Sequence, residues 1–171
     1  MRSTVVVGNP KLDSRTRAAG EAVARAFCEN GSDTSVIELG ALSGSLFAWG
    51  DEAVGAAKQT VLDSDLVVFA SPVYKASFTG LLKAFLDQFN RDELAALATV
   101  PLMVGASPAH SLAVESQLRP VLVEIGACCP TRGLYVLESA VAELDLSDWL
   151  GTWGAALRAV IEAPRATPRT R

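Results

Sequence analysis

A buried strand followed by a turn and a helix decides the fold of this chain. The segment is Asp65-Leu66-Val67-Val68-Phe69-Ala70-Ser71-Pro72-Val73-Tyr74-Lys75-Ala76-Ser77-Phe78-Thr79-Gly80-Leu81-Leu82-Lys83. The apolar run that ends at Ala70 predicts a strand covered on both faces, as is typical of parallel sheets. From Thr79 onward the apolar residues recur with helical spacing. A strand, a turn and a helix in this order predict an α/β architecture.

The same alternation continues on both sides of this segment. The predicted strands are Thr4–Val7, Thr34–Leu39, Asp65–Ala70, Thr99–Gly105 and Leu134–Glu138. The predicted helices are Ser14–Asn30, Asp51–Leu62, Thr79–Asn90, Ser111–Ile125 and Leu146–Glu162. The first should end at the capping pair Asn30-Gly31, and the fourth should be interrupted at Pro120. Residues 40–50 form an irregular connection.

This pattern predicts a flavodoxin-like three-layer sandwich. Five strands that alternate with five helices form a doubly wound parallel sheet with helices on both faces. At 171 residues the strand order 2-1-3-4-5 is favoured. A Rossmann dinucleotide domain is less favoured, because the first strand is not followed by Gly-x-Gly-x-x-Gly.

Length and composition suit one domain and disfavour some partners. We expect a single domain over residues 1–163 and a disordered tail over 164–171, which has no apolar face. The net charge of −4 argues against binding to nucleic acid or to an anionic membrane. No apolar run approaches the roughly 18 residues of a transmembrane helix, and the first strand is too short for a signal peptide. We therefore expect a cytoplasmic protein. The three cysteines lack the spacing of a metal site.

The loop after the first strand has the composition of a phosphate-binding loop. It is Gly8-Asn9-Pro10-Lys11-Leu12-Asp13-Ser14-Arg15-Thr16-Arg17, and it enters the first helix. A helix N-terminus offers unpaired N–H groups and a positive dipole end. Asn9 and the hydroxyls of Ser14 and Thr16 add polar groups, and Lys11 and Arg15 add positive charge. A Walker motif is missing, which favours a monophosphate. The alternative is that Ser14 only caps the helix and that the basic side chains are solvated.

The turn after the third strand predicts a contact for a flat aromatic ring. Pro72 fixes the backbone, Tyr74 offers a planar face, and the segment from Pro72 through Val73 and Tyr74 to Lys75 would supply backbone N–H donors. An isoalloxazine ring needs both kinds of contact. Together with a monophosphate loop, this turn predicts an FMN site. The alternative is an ordinary turn with no ligand.

A third loop follows the fourth strand and contains the only histidine. Gly105, Ala106 and Ser107 are small, so the backbone would approach the pyrimidine side of a flavin. His110 would either donate a proton or contact a nicotinamide cofactor, or it would be a helix-terminal residue with a structural hydrogen bond. We favour the structural role, because hydride transfer between nicotinamide and flavin needs no side-chain acid. No catalytic side chain is therefore predicted.

These loops together resemble those of the NAD(P)H-dependent FMN reductases of two-component monooxygenase systems, especially the alkanesulfonate and methanesulfonate type. The matching motifs are Gly8-Asn9-Pro10-Lys11 with Ser14-Arg15-Thr16, Ser71-Pro72-Val73-Tyr74-Lys75 with Gly80-Leu81-Leu82-Lys83, and Ala109-His110-Ser111-Leu112-Ala113-Val114-Glu115 leading into Leu118-Arg119-Pro120-Val121-Leu122. The resemblance implies a flavodoxin-like fold and the reduction of FMN by NADPH or NADH. It also implies release of reduced FMN to a partner monooxygenase, and a homodimer or homotetramer.

Several points stay open at this level. Ser116 and Gln117 stand where some relatives carry an aromatic residue, so FMN is either a substrate or a prosthetic group. Alternatives are an FMN-retaining quinone, azo-dye or chromate reductase and a flavodoxin-like electron carrier. A carrier is disfavoured because it is usually acidic around the flavin, whereas these loops carry basic residues, namely Lys11, Arg15, Arg17, Lys75 and Lys83. Arg15 or Arg17 would suit a 2′-phosphate. Apolar residues on more than one face of the third and fourth helices predict a subunit interface.

Overall fold

A five-stranded parallel sheet forms the centre of the computed structural model, which describes residues 1–28 and 33–163. The strands are β1 (Ser3–Val7), β2 (Thr34–Glu38), β3 (Leu66–Pro72), β4 (Ala98–Gly105) and β5 (Leu134–Leu137). They pair in the order β2-β1-β3-β4-β5. The predicted flavodoxin-like order is confirmed. All of β1 and β4 is buried, because helices cover both faces of the sheet.

Five α-helices of the described ranges form the two outer layers. They are α1 (Arg15–Arg25), α2 (Glu52–Leu62), α3 (Gly80–Leu86), α4 (Arg119–Glu124) and α5 (Ser147–Glu162). One apolar layer lies between the sheet and α1 and α5, and the other lies between the sheet and α2, α3 and α4. Short 3₁₀ turns span Leu39–Leu42, Pro108–His110 and Glu138–Glu143.

Two helices are shorter than the periodicity predicts. The first ends at Arg25, and its expected cap at Asn30-Gly31 lies outside the described residues, as does the tail at 164–171. The third ends at Leu86 instead of Asn90. Both helices finish in a tightened turn, in which an N–H bonds to the carbonyl three residues back, as from Phe89 to Leu86 over 3.2 Å. Apolar residues keep their helical spacing through such a turn, so the sequence pattern does not show where the α-helix ends.

The predicted interruption at Pro120 is confirmed. A π-helical turn spans Val114–Leu118, and α4 follows it with Pro120 in its first turn. Proline has no N–H to donate, and the first turn of a helix is where an N–H has no intrahelical partner. The predicted single helix is therefore two joined segments.

The apolar surfaces of the third and fourth helices differ from the expectation. Leu82, Phe85 and Leu86 of α3 are buried within this chain, so α3 leaves less apolar surface exposed than its sequence indicates. By contrast, Leu112 and Val123 are 65% and 54% exposed. No helix in the described part of the chain is both long enough and apolar enough to cross a membrane.

Candidate FMN site

The carboxyl edge of the sheet opens into a cavity of about 410 Å³. Because parallel strands end at the same edge, loops that are far apart in sequence meet there. The lining residues are Asn9, Lys11, Asp13, Ser14, Arg15, Thr16, Pro72, Val73, Tyr74, Val104, Gly105, Ala106 and Glu138. This set contains ten of the twelve residues that the sequence predicts for a cofactor site.

The other two predicted residues, Lys75 and Ser107, line an adjoining cavity of about 380 Å³. The two cavities share Val73 and Ala106, and His110 lies in the second. They are therefore parts of one surface at the edge of the sheet.

Sequence reasoning missed three lining residues. Asp13 lies inside the loop that was singled out, and Val104 was hidden because apolar strand residues carry no chemical signal. Glu138 is the first residue after β5. Its place at the carboxyl end of a predicted strand was a usable signal.

One end of the main cavity is rich in hydrogen-bond donors. Ser14 caps α1, and its Oγ accepts from the N–H of Arg17 over 3.3 Å. The Oγ1 of Thr16 accepts from Nδ2 of Asn9 over 3.1 Å. Both hydroxyls accept in these bonds, so their own protons remain for a ligand. The N–H groups of Arg15 and Thr16 have no acceptor among the described residues. Helix capping and anion binding are therefore compatible roles for Ser14.

The positive charge near this end is largely neutralised. Arg15 forms an ion pair with Glu138. Arg17 contacts three carboxylates, those of Asp13 at 2.6 Å, Glu21 at 2.8 Å and Glu38 at 2.9 Å. The hydrogen bond to Glu21 is the main reason why the pKa of Arg17 is raised.

Two expectations from charge are therefore corrected. Arg17 does not line the cavity and is paired with three carboxylates, so it is not placed to hold a 2′-phosphate there. Lys83 is paired with Asp87 at 2.5 Å. Of the five basic residues in these loops, only Lys11 and Lys75 have no carboxylate partner among the described residues. The loops are not strongly basic, so charge alone gives little reason to reject an electron carrier.

A tight hairpin turn borders both cavities, because Tyr74 lines the main one and Lys75 and Ala76 line the adjoining one. The N–H of Tyr74 donates to the carbonyl of Ser77 over 2.8 Å, and the N–H of Ser77 donates back over 3.1 Å. The residues between them, Lys75 and Ala76, have φ angles of 51° and 64°. Two left-handed residues in succession define a type I′ turn, which usually contains asparagine or glycine. The turn is therefore strained at Ala76.

This turn has fewer free donors than predicted. The N–H of Val73 donates to the carbonyl of Val104 over 2.8 Å, and that of Tyr74 is used in the turn. Only Lys75 and Ala76 keep an N–H without an acceptor among the described residues. Tyr74 is 51% exposed, which leaves its side chain accessible to a planar ligand.

A buried hydrogen-bond network joins the first loop to the ring turn. The hydroxyl of Thr79 donates to the carbonyl of Gly8 over 2.6 Å and accepts from the N–H of Leu82 at the start of α3. The N–H of Thr79 donates to Oγ of Ser71 over 3.1 Å. Ser71 and Thr79 are buried, so water does not compete for these bonds. The two loops are therefore held in a fixed relation.

A neighbouring side chain gives an additional reason for glycine at position 105. A Cβ at this position would lie 2.0 Å from the hydroxyl oxygen of Tyr135 on the neighbouring strand. That hydroxyl donates to the carbonyl of Ser107 over 2.5 Å, and burial raises its pKa. Glycine is needed here because a tyrosine ring crosses the backbone. Gly105 also lines the main cavity, and its approach to a flavin stays a prediction.

His110 is exposed and ends the 3₁₀ turn Pro108–His110. Its ring makes no hydrogen bond to any described residue, so the structural bond that we expected is not found. Its position in the adjoining cavity, beside Lys75 and Ser107, leaves it accessible to a second reactant.

Comparison with known proteins identifies the family. The model of the NADPH-dependent FMN reductase family matches residues 1–142. The chain belongs to this family. The resemblance and the oxidoreductase class that the loops predict are thereby confirmed, for a family whose members are named for FMN reduction with NADPH or NADH.

Individual family members show the extent of the similarity. An FMN reductase (NADPH) from Pseudomonas putida is 40% identical over 85 residues, which cover 50% of this chain and 43% of that protein. The NADH-dependent FMN reductase SfnE of the same species is 30% identical over 94% of this chain and 88% of its own. The apo structure of the NADH:FMN oxidoreductase EMOB matches with a TM-score of 0.80 and 31% identity, covering 100% of this chain and 94% of that one.

One motif of the FMN reductase resemblance has a structural role. Arg119 pairs with Glu115 over 2.5 Å and donates to the carbonyls of Cys129 and Thr131. Glu115 also accepts from the N–H of Gly133 over 2.6 Å, and its pKa is lowered mainly by the bond to Arg119. This cluster fixes the loop that leads into β5.

Proposed function

We propose that this protein is an NAD(P)H-dependent FMN reductase that passes reduced FMN to a separate monooxygenase. The observation that carries the proposal is a single cavity that is lined both by a donor-rich helix N-terminus and by the half-exposed Tyr74. Its volume of about 410 Å³ lies within the range of ligand pockets, about 300–1,000 Å³. Family membership supports the choice of reaction.

The residues present fit FMN. Two hydroxyls and two free N–H groups converge at the start of α1, which suits a monophosphate better than a neutral group. When bound, FMN would supply the two-electron redox chemistry. The contribution of the chain would be to orient the ring against Pro72 and Tyr74 and to direct the N–H groups of Lys75 and Ala76 toward its edge.

The second reactant is assigned to the adjoining cavity in this proposal. It shares Val73 and Ala106 with the main cavity, so a nicotinamide there would lie against the ring. Lys75 and His110 line it and would position the donor. Neither side chain would be required to transfer a proton, because hydride transfer between nicotinamide and flavin needs no side-chain acid.

We further propose that the protein works as a homodimer or homotetramer. Support comes from large apolar side chains that remain exposed in one chain: Phe47 is 82% exposed, Trp49 is 74% exposed and Leu112 is 65% exposed. Exposed apolar patches commonly mark interfaces.

The phosphate end gives the sharpest test of FMN binding. In the double variant Ser14→Ala/Thr16→Ala, we expect the dissociation constant for FMN to rise by at least about 100-fold. The reason is that each lost hydrogen bond to a charged group costs roughly 1.5–3 kcal/mol. The constant for riboflavin, which lacks the phosphate, should stay within about twofold. Quenching of flavin fluorescence during titration measures both.

Two controls make the result interpretable. Thr16→Ala alone leaves the Ser14 cap intact, and Thr152→Ala removes an exposed threonine hydroxyl on α5, remote from the cavity. If the unmodified protein binds riboflavin as tightly as FMN, the phosphate site is wrong. If the protein keeps one FMN per chain through gel filtration, the delivery of reduced FMN to a monooxygenase is wrong and an FMN-retaining reductase is favoured.

A further inference from the structure

The phosphate end of the cavity carries an unexpected carboxylate. Its lining contains four charged side chains, those of Lys11, Arg15, Asp13 and Glu138, whose formal charges sum to zero. Sites for phosphate usually combine backbone donors with an excess of lysine or arginine. Here the carboxylate of Glu138 pairs with the guanidinium of Arg15, which is the first residue of α1.

The ion pair between Arg15 and Glu138 does not have the features of a pair that stabilises the fold. The side chains are 65% and 47% exposed, and ion pairs that are exposed to this degree contribute little to stability. The pair between Arg119 and Glu115 shows the contrast, because those side chains are 21% and 27% exposed and also bond to the backbone of the loop before β5. A role in the cavity therefore explains Glu138 better than a role in folding.

We propose that Glu138 sets the affinity for FMN by weakening the hold on its phosphate. This inference rests on the proposed function. The carboxylate acts in two ways: it engages the guanidinium of Arg15, and it places a like charge in the cavity that receives the phosphate. The phosphate is then bound mainly by hydroxyl and N–H donors. Such a site holds FMN specifically and still releases it, as delivery to a second protein requires.

The decisive experiment compares Glu138→Gln with Glu138→Asp. Glutamine keeps the size of the side chain and removes its charge, whereas aspartate keeps the charge. We expect Glu138→Gln to lower the dissociation constant for FMN about three- to tenfold, as removal of a partly exposed like charge does. Glu138→Asp should stay close to the unmodified protein. Riboflavin binding should be the same in all three proteins.

Two further measurements separate charge from structure. Glu143→Gln removes an exposed carboxylate at the other end of the same 3₁₀ turn, outside the cavity, and should leave FMN binding unchanged. The gain from Glu138→Gln should shrink at high salt, because salt screens charges that are open to solvent. It should also shrink in the background Arg15→Gln, in which no guanidinium is left to be released.

The outcomes distinguish the two proposals. If FMN binds better than riboflavin but Glu138→Gln leaves its dissociation constant unchanged or raises it, the inference about Glu138 is wrong and the proposed function stands. If Glu138→Asp tightens binding as much as Glu138→Gln does, the effect is steric and the inference is again wrong. If the unmodified protein does not prefer FMN, the phosphate site itself is wrong. A Glu138→Ala variant reports the same charge effect if the glutamine variant is poorly folded.

Discussion

Substitution of Gly105 by alanine tests whether this glycine serves the fold or the ligand. The new Cβ would lie 2.0 Å from the hydroxyl oxygen of Tyr135 and 2.7 Å from the ring carbon that bears it. A Cβ atom does not approach a non-bonded oxygen or carbon atom so closely, so the tyrosine ring must move. Its hydrogen bond to the carbonyl of Ser107 would then be lost.

The expected cost follows from these contacts. Overpacking costs about 1–3 kcal/mol and the lost hydrogen bond about 1 kcal/mol, so Gly105→Ala should lower the free energy of unfolding by about 2–4 kcal/mol. For a chain of this length each kcal/mol lowers Tm by about 2–4 °C, so we expect a fall of about 4–16 °C. Thermal unfolding followed by circular dichroism measures it. Gly55→Ala on α2, where a Cβ meets nothing within 4 Å, is the matched control and should be neutral or slightly stabilising.

A double-mutant cycle isolates the cause. In the background Tyr135→Ala the ring is gone, and Gly105→Ala should then cost less than about 1 kcal/mol. An equal loss of stability in both backgrounds would refute the steric explanation. If Gly105→Ala no longer lowers stability in the Tyr135→Ala background but still weakens FMN binding there, the backbone at Gly105 also has to approach the flavin, as its sequence context first suggested.

Two other predictions concern the ring turn and the association of subunits. Ala76→Gly should raise the free energy of unfolding by about 0.5–1 kcal/mol, because alanine at a φ of 64° is strained and glycine is not; a loss of stability in thermal unfolding would contradict the assigned turn. Light scattering after size exclusion should give a mass at least twice the 17.9 kDa of one chain, and a monomer at micromolar concentration would argue against the exposed Phe47 and Trp49 as interface residues.

The part of this protein that the sequence determines is the part that local patterns encode. Continuous apolar runs such as Leu66 to Ala70 predict strands buried on both faces, and buried parallel strands require helices on both sides. The strand ends then locate the site, because every parallel strand delivers its loop to one edge. For this reason Ser14 and Thr16 on the first loop and Tyr74 on the turn after β3 were expected at one edge, and the structure places them in the lining of one cavity.

Tertiary structure decided which charges and small residues are available for function. Arg15 and Glu138 are 123 positions apart in sequence, and no local signal pairs them. Arg17 differs from Arg15 only by its position on the helix, yet that position turns it toward Asp13, Glu21 and Glu38. Position 105 requires glycine because a Cβ there would meet the ring of Tyr135 on the next strand. Hydrophobic periodicity reports burial along one segment, whereas the partner of a charge or of a missing Cβ depends on which segments the fold brings together.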